Sequence, residues 1–188
     1  EGFMDVIRAS TIGLKNTVAL MGTALTNNHL SLIKKLSLNV ILCFDGDNAG
    51  AKATMAVGEQ LEKIGISPKI IALSNNDDPD TYILKYGASR FEDLINNAIN
   101  FSDYKINNLK NGVNFNSDVE LSNYVNSVIK ETSSIKDEIR REIILKKLAI
   151  ETNIGYNTLE KRLNEYLKEN DMTKVLIPLK KVENKKLT

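Results

Sequence analysis

Apolar positions along the chain fall into two patterns that predict different elements. Val40-Ile41-Leu42-Cys43-Phe44 is a short, unbroken apolar run rich in β-branched and aromatic residues. Lacking the alternation of a half-exposed strand, it predicts a strand at the centre of a parallel sheet, covered on both faces. Lys69 to Leu73 predicts a second strand and Thr17 to Met21 a third. Between them apolar residues recur at helical spacing. Phe3 to Ala9 predicts a short helix, and Thr26 caps another over Asn27 to Leu36 whose apolar positions are Leu30, Leu32, Ile33 and Leu36. Ala53, Ala56, Val57, Leu61 and Ile64 mark a third, from Ala49 to Ile64, which Gly65 stops. A short helix ending at Gly87 follows the strand at Lys69. Strands alternating with helices predict an α/β fold: an open, mainly parallel sheet with helices on both faces.

From Ser89 the pattern is helical throughout. Ser89-x-x-Glu92 and Ser117-x-x-Glu120 are capping boxes, with Asn157-x-x-Glu160 a weaker relative. They open apolar stripes such as Phe91, Leu94, Ile95, Ala98 and Leu121, Tyr124, Val125, Val128. Two further helices, Ile135 to Glu151 and Asn157 to Glu169, meet across Thr152-Asn153-Ile154-Gly155. This corner has the outline of a helix-turn-helix, a shape that helical bundles also contain routinely. Beyond Asp171 the chain is Lys-rich, holds Pro178 and reads as a linker or tail. The expected division is an α/β domain over 1–88, an all-α helical subdomain over 89–170 and a tail over 171–188.

The strand at Val40 ends in Asp45-Gly46-Asp47-Asn48-Ala49-Gly50, which places two carboxylates where open α/β sheets bind ligands. Two acids this close repel each other unless a cation or proton neutralises them. With oxygen donors alone, the fitting cation is hard, Mg²⁺ or Mn²⁺. A calcium loop of the EF-hand type is excluded, because its fifth and twelfth positions hold Ala49 and Ala56. A phosphatase of the haloacid dehalogenase type also uses a strand ending in D-x-D, but Asn48-Ala49-Gly50 lacks the phosphate-binding residue that usually follows. Helix capping without chemistry needs only one of the two acids. A second acidic loop, Asp77-Asp78-Pro79-Asp80, follows the strand at Lys69 and emerges on the same sheet edge, although Asp and Pro are also favoured helix-start residues. His29, with no second His, reads as a surface or capping residue.

Composition changes this picture little. At 188 residues and 42% hydrophobic, the chain can bury one good core and a second small one. Its single cysteine, Cys43, excludes an internal disulfide and a Cys cluster for zinc, as in a cytosolic protein. No apolar run approaches the roughly 20 residues of a membrane helix. Residues 1–100 carry 9 Lys/Arg against 11 Asp/Glu, and residues 101–188 carry 16 against 13. That imbalance is too small to indicate nucleic acid by itself. Because Glu1 opens the sequence where a β-α-β unit would have a preceding strand, the chain is expected to be a fragment cut just inside a domain.

Glu1-Gly2-Phe3-Met4-Asp5, Met21-Gly22-Thr23-Ala24-Leu25-Thr26, Phe44-Asp45-Gly46-Asp47-Asn48-Ala49-Gly50 and Asp78-Pro79-Asp80, in this order, resemble the Toprim fold of bacterial DNA primase. The resemblance covers residues 1 to 100 closely, and the helices to about 170 would be the end of the catalytic core. It implies Glu1, Asp45 and Asp47 as the catalytic acids that hold divalent metal, with Asp78, Asp80 and Asp5 as further metal-site acids. It also implies template-directed synthesis of RNA primers from NTPs on single-stranded DNA, in the bacterial cytoplasm. Zinc is expected only in an amino-terminal domain absent from this sequence, and the replicative helicase is expected to bind beyond the Lys-rich tail. The basic surface that holds template is expected upstream as well, so the isolated chain should be inactive. The rival readings are another Toprim enzyme (a nuclease or topoisomerase), a metal-dependent phosphatase or phosphoacceptor domain, and a non-catalytic scaffold.

Overall fold

A computed structural model of the chain describes residues 2–22, 25–73 and 77–175, with side chains through 169. The elements are α1 (Phe3–Thr11), α2 (Asn27–Leu36), β1 (Ile41–Phe44), α3 (Asn48–Lys63), β2 (Lys69–Ala72), α4 (Pro79–Asn96), β3 (Ile99–Asn100), α5 (Phe101–Leu109), α6 (Asp118–Ser133), α7 (Glu138–Thr152) and α8 (Tyr156–Val175). They form two compact units that part between Lys105 and Ile106.

The first unit is built on a small mixed sheet in the order β1-β2-β3. β1 and β2 run parallel, with Leu42 opposite Ile70 and Phe44 opposite Ala72, joined through α3. β3 pairs antiparallel with β2, Ile99 opposite Ile70. Successive strand residues point to opposite faces, so the consecutive buried pair Ile70 (2% exposed) and Ile71 (5%) shows that β2 is covered on both sides. β1 is different. Its Leu42 and Phe44 face the core while Ile41 is 43% exposed, and β1 lies at an edge among the described strands. The expectation that the Val40 run is central is therefore corrected: an apolar run records hydrophobic surroundings, not the number of its neighbours. Leu42, Phe44, Val57, Leu61, Ile66, Ile70 and Phe101 share one core, in which α3 presents Val57 and Leu61.

The strand expected over Thr17 to Met21 does not form among the described residues. Met21 has φ 56°, a left-handed conformation incompatible with a strand, and no described strand pairs with the segment. His29 closes a cap: its Nδ1 accepts from the N–H of Thr26, whose hydroxyl accepts from the N–H of His29. The helix expected to end at Gly87 continues instead as α4 across a kink, where Gly87 holds φ 82°. The division expected after residue 88 falls at this kink, whereas Phe91 and Phe101, both beyond it, are buried within the first unit.

The second unit packs α6, α7 and α8 around Tyr124, Val128, Ile129, Leu145, Leu148, Leu159 and Leu163. Ser117 caps α6 as expected by accepting from the N–H of Glu120, but the Glu120 carboxylate accepts from the N–H of Asn114 and not from Ser117, so only half of the box forms. Asn157 opens no box, since α8 already starts at Tyr156. Asn153, at φ 55°, ends α7 at the predicted corner. Glu151, near the end of α7, takes an ion pair from Lys110 and a 2.9 Å hydrogen bond from the Tyr124 hydroxyl. Burial alone would raise the Glu151 carboxyl, but these donors outweigh it and hold the group below its ordinary value. α8 runs to Val175, past the expected start of the tail at 171, and residues 176–188 lie outside the described residues.

The asymmetry of β1 sets the first expected outcome. Leu42→Ala should cost about 2–5 kcal/mol, because it leaves a cavity under the sheet, while Ile41→Ala should cost less than about 1 kcal/mol. Urea unfolding of both variants measures the difference; equal losses would show that Ile41 is also covered.

Candidate metal-binding active site

The site starts where β1 ends. Asp45 follows Phe44 directly, and its Oδ1 is buried from solvent. Two residues on, Asp47 takes an extended conformation as the N-cap of α3, and its Oδ1 accepts a 2.7 Å hydrogen bond from the N–H of Gly50. Both acids thus sit beside the N-terminus of α3. Gly50 is packed against the backbone of Asp45. A β-carbon there would lie 2.1 Å from the Asp45 carbonyl oxygen and 2.9 Å from its nitrogen. The glycine therefore lets the first turn of α3 close onto the strand end that carries Asp45.

The second acidic loop meets the first through the backbone. Gly46 donates its N–H to the carbonyl oxygen of Asp77 at 2.8 Å. Asp77 is 2% exposed and its carboxylate is ion-paired with Lys85. Asp78 is the N-cap of α4, accepting from the N–H of Thr81 at 2.6 Å, with Pro79 in the first turn. Asp80 faces α1: its carboxylate accepts from Arg8 Nε at 2.6 Å, and its N–H donates to Asp5 Oδ1 at 3.3 Å. Asp5 Oδ2 accepts from the N–H of Gly2 at 2.9 Å. Asp5, Arg8 and Asp80 thus clasp the starts of α1 and α4 together.

The structure accordingly brings the sequence-predicted acids into two linked groups, Asp45 with Asp47 on the β1 loop and Asp5 with Asp80 between the helices. Asp78 lies between them at the head of α4. Asp5 and Asp45 also act on one common atom. Burial, with smaller contributions from the charges of Asp5 and Asp45, pushes the Cys43 thiol up to about 12. Glu1 lies outside the described residues. Among the described residues, no three His, Cys, Asp or Glu side chains converge as a ready cation cage. In donor chemistry Asp45 and Asp47 fit a hard divalent ion: both offer carboxylate oxygen alone, beside a strand end and a helix N-terminus. Sequence reasoning missed Arg8 and Lys85, and placed Asp77 in the acidic loop without a role of its own. The signals were present, since Arg8 lies three residues after Asp5 on one helix face and Asp77 adjoins the Asp78-Pro79-Asp80 run.

A parallel strand ending in paired aspartates, a glycine-seated helix after it and a second acidic turn on the same edge define a Toprim-like domain. Residues 1–83 match the Toprim-like family, and residues 102–155 match the DnaB-helicase binding domain of primase. The DNA primase of Staphylococcus aureus (strain MSSA476) is 40% identical over 156 residues, covering 82% of this chain and 26% of that protein. A structure of the DnaG catalytic core is 29% identical with a TM-score of 0.62, covering 82% of this chain and 51% of that one. A DnaG primase catalytic domain bound to ssDNA is 27% identical with a TM-score of 0.64, covering 84% and 51%. The chain belongs to the DNA primase family, and it spans about a quarter of the length of the curated relatives it matches. The match to a helicase-binding domain falls inside the chain, whereas such a region was expected only past the Lys-rich end.

Gly50→Ala should destabilise the first unit by about 3 kcal/mol, because the new methyl meets backbone and not a movable side chain. Gly22→Ala, with nothing within 4 Å of its β-carbon, should stay within about 0.5 kcal/mol of the parent. Thermal unfolding compares the two, and a tolerated Gly50→Ala would contradict the close seating of α3.

Proposed function

We propose that the first unit supplies the acidic site of a primase that joins ribonucleotides into RNA primers on single-stranded DNA. The observation that carries this reading is the Asp45-Gly46-Asp47 turn at the carboxyl end of β1, with Gly50 seating α3 against it. In this reading Asp45 and Asp47 hold divalent cation, Mg²⁺ or Mn²⁺, with Glu1 and Asp78 completing the acidic set. Bound there, the ion supplies Lewis-acid chemistry: it lowers the pKa of the attacking 3′ hydroxyl and stabilises charge on the departing pyrophosphate. The aspartates form no covalent bond to substrate. Asp45, at the strand end with its Oδ1 buried, fixes the position of the site. Asp47 is exposed and engages one oxygen with α3, which fixes the orientation of that carboxylate. Asp5 and Asp80, although counted among the metal-site acids by the resemblance, are engaged with Arg8 and backbone N–H groups and serve chiefly to dock α1 on α4.

Template binding is a separate requirement. A groove that tracks single-stranded nucleic acid needs several cations and aromatic platforms, and residues 1–100 carry 9 Lys/Arg against 11 Asp/Glu. We therefore assign template and primer binding largely to the rest of the parent protein. The second unit, which holds most of the helicase-binding family match, is the proposed contact to the replicative helicase. No described helix is long and apolar enough to cross a membrane, and a primase works where bacterial DNA and NTPs are, in the cytoplasm.

The test pairs this chain with its longer parent. Mn²⁺ at about a hundred times its dissociation constant should raise the thermal midpoint of the chain by on the order of 5 °C. Asp45→Asn/Asp47→Asn should abolish that rise, while leaving the metal-free protein at least as stable, because like-charge repulsion is relieved. The parent should synthesise primers and lose synthesis on Asp45→Ala, and the chain alone should make none. An undiminished Mn²⁺ response in the double variant would refute the metal assignment.

A further inference from the structure

Asp77 is the most buried acid described in the first unit, at 2% exposure. A carboxylate so buried is tolerated only when a cation and hydrogen bonds compensate it. Lys85 provides the cation. It stands two turns into α4, with its stem half exposed and its Nζ on Asp77 Oδ1. Asp77, through its main-chain carbonyl, accepts the N–H of Gly46, which lies between Asp45 and Asp47. Asp77 is therefore held at one end by a helix side chain and holds at its other end the turn that carries both acids. Gly46 is the link, because a main-chain N–H at the end of a strand needs an acceptor, and Asp77 supplies it across the β1-β2 boundary.

We infer that Lys85 is a positioning residue for the acidic site: its ion pair pins Asp77 in place, and Asp77 in turn sets the position of the Asp45-Gly46-Asp47 turn. Lys85 itself touches neither cation nor nucleotide. Removing its charge strands a buried carboxylate, which would move toward water and carry its carbonyl away from Gly46. The two cation-holding aspartates would then lose a shared anchor without being altered themselves. This inference rests on the reading of Asp45 and Asp47 as a cation site, and its test separates the two.

Mn²⁺ binding to the chain is measured by the loss of the free-ion paramagnetic resonance signal for the parent sequence, Asp45→Ala, Lys85→Met, Lys85→Arg and Asp77→Asn/Lys85→Met. Lys85→Met should weaken Mn²⁺ binding about tenfold, the scale typical of a residue that orients metal ligands. Lys85→Arg, which keeps the charge, should stay within about threefold of the parent sequence. The double variant should recover most of the loss, because no charge is stranded and the carbonyl at position 77 still accepts from Gly46. Amide hydrogen exchange gives a readout independent of metal: the N–H of Gly46 should exchange faster in Lys85→Met, while the amides of β2 that pair with β1 keep their protection. Asp45→Ala with lost binding and Lys85→Met with unchanged binding and unchanged Gly46 exchange would overturn the positioning role and leave the site standing. Unchanged binding in Asp45→Ala would overturn the site, and the inference with it.

Discussion

The first unit depends on one close approach, that of the first turn of α3 to the backbone of Asp45. Only a residue without a side chain fits at Gly50, where a β-carbon would meet the Asp45 carbonyl oxygen at 2.1 Å. That approach places Asp47 at the head of α3, where capping holds one of its oxygens, and leaves Asp45 at the strand end with Oδ1 buried. Two carboxylates are thus brought together by backbone packing and not by mutual attraction, which they lack. Both offer the oxygen donors a hard divalent cation takes, and this links the fold of the turn to the chemistry proposed for it.

Around that turn, neighbouring acids do different work. Asp78 caps α4, Asp77 carries an ion pair under the sheet edge, and Asp80 with Asp5 and Arg8 fastens α1 to α4. An acid-rich sequence edge therefore resolves in large part into caps and clasps once partners are known. The second unit follows the same economy on a smaller scale. A single carboxylate, Glu151, collects Lys110 and the Tyr124 hydroxyl, and so ties the segment before α6, α6 itself and the end of α7.

Local elements were readable from sequence because their causes are local. The spacing of Val57 and Leu61, the cap at Thr26 and the corner at Asn153 each depend on a few adjacent residues, and each forms where the sequence predicts it. What escaped depends on distant partners. An apolar run such as Ile41–Phe44 cannot report whether strands flank it on both sides, and among the described strands it is β2, with Ile70 and Ile71 buried on opposite faces, that holds the central place. β3 is two residues long and has no periodicity to detect. In the site, the positions of Asp45 and Asp47 beside a strand end were legible from the motif. The pairing of Asp80 with Arg8, 72 positions apart, was not, because nothing in either segment names the other.

The central claim is that the turn after β1 holds the divalent cation. Its most direct measurement is anomalous diffraction from crystals of the chain grown with Mn²⁺. One ordered peak is expected within about 2.2 Å of an Asp45 carboxylate oxygen, with Asp47 next to it and the Arg8–Asp80 contact intact. A fully occupied peak elsewhere in the chain, with no density at Asp45, would contradict it.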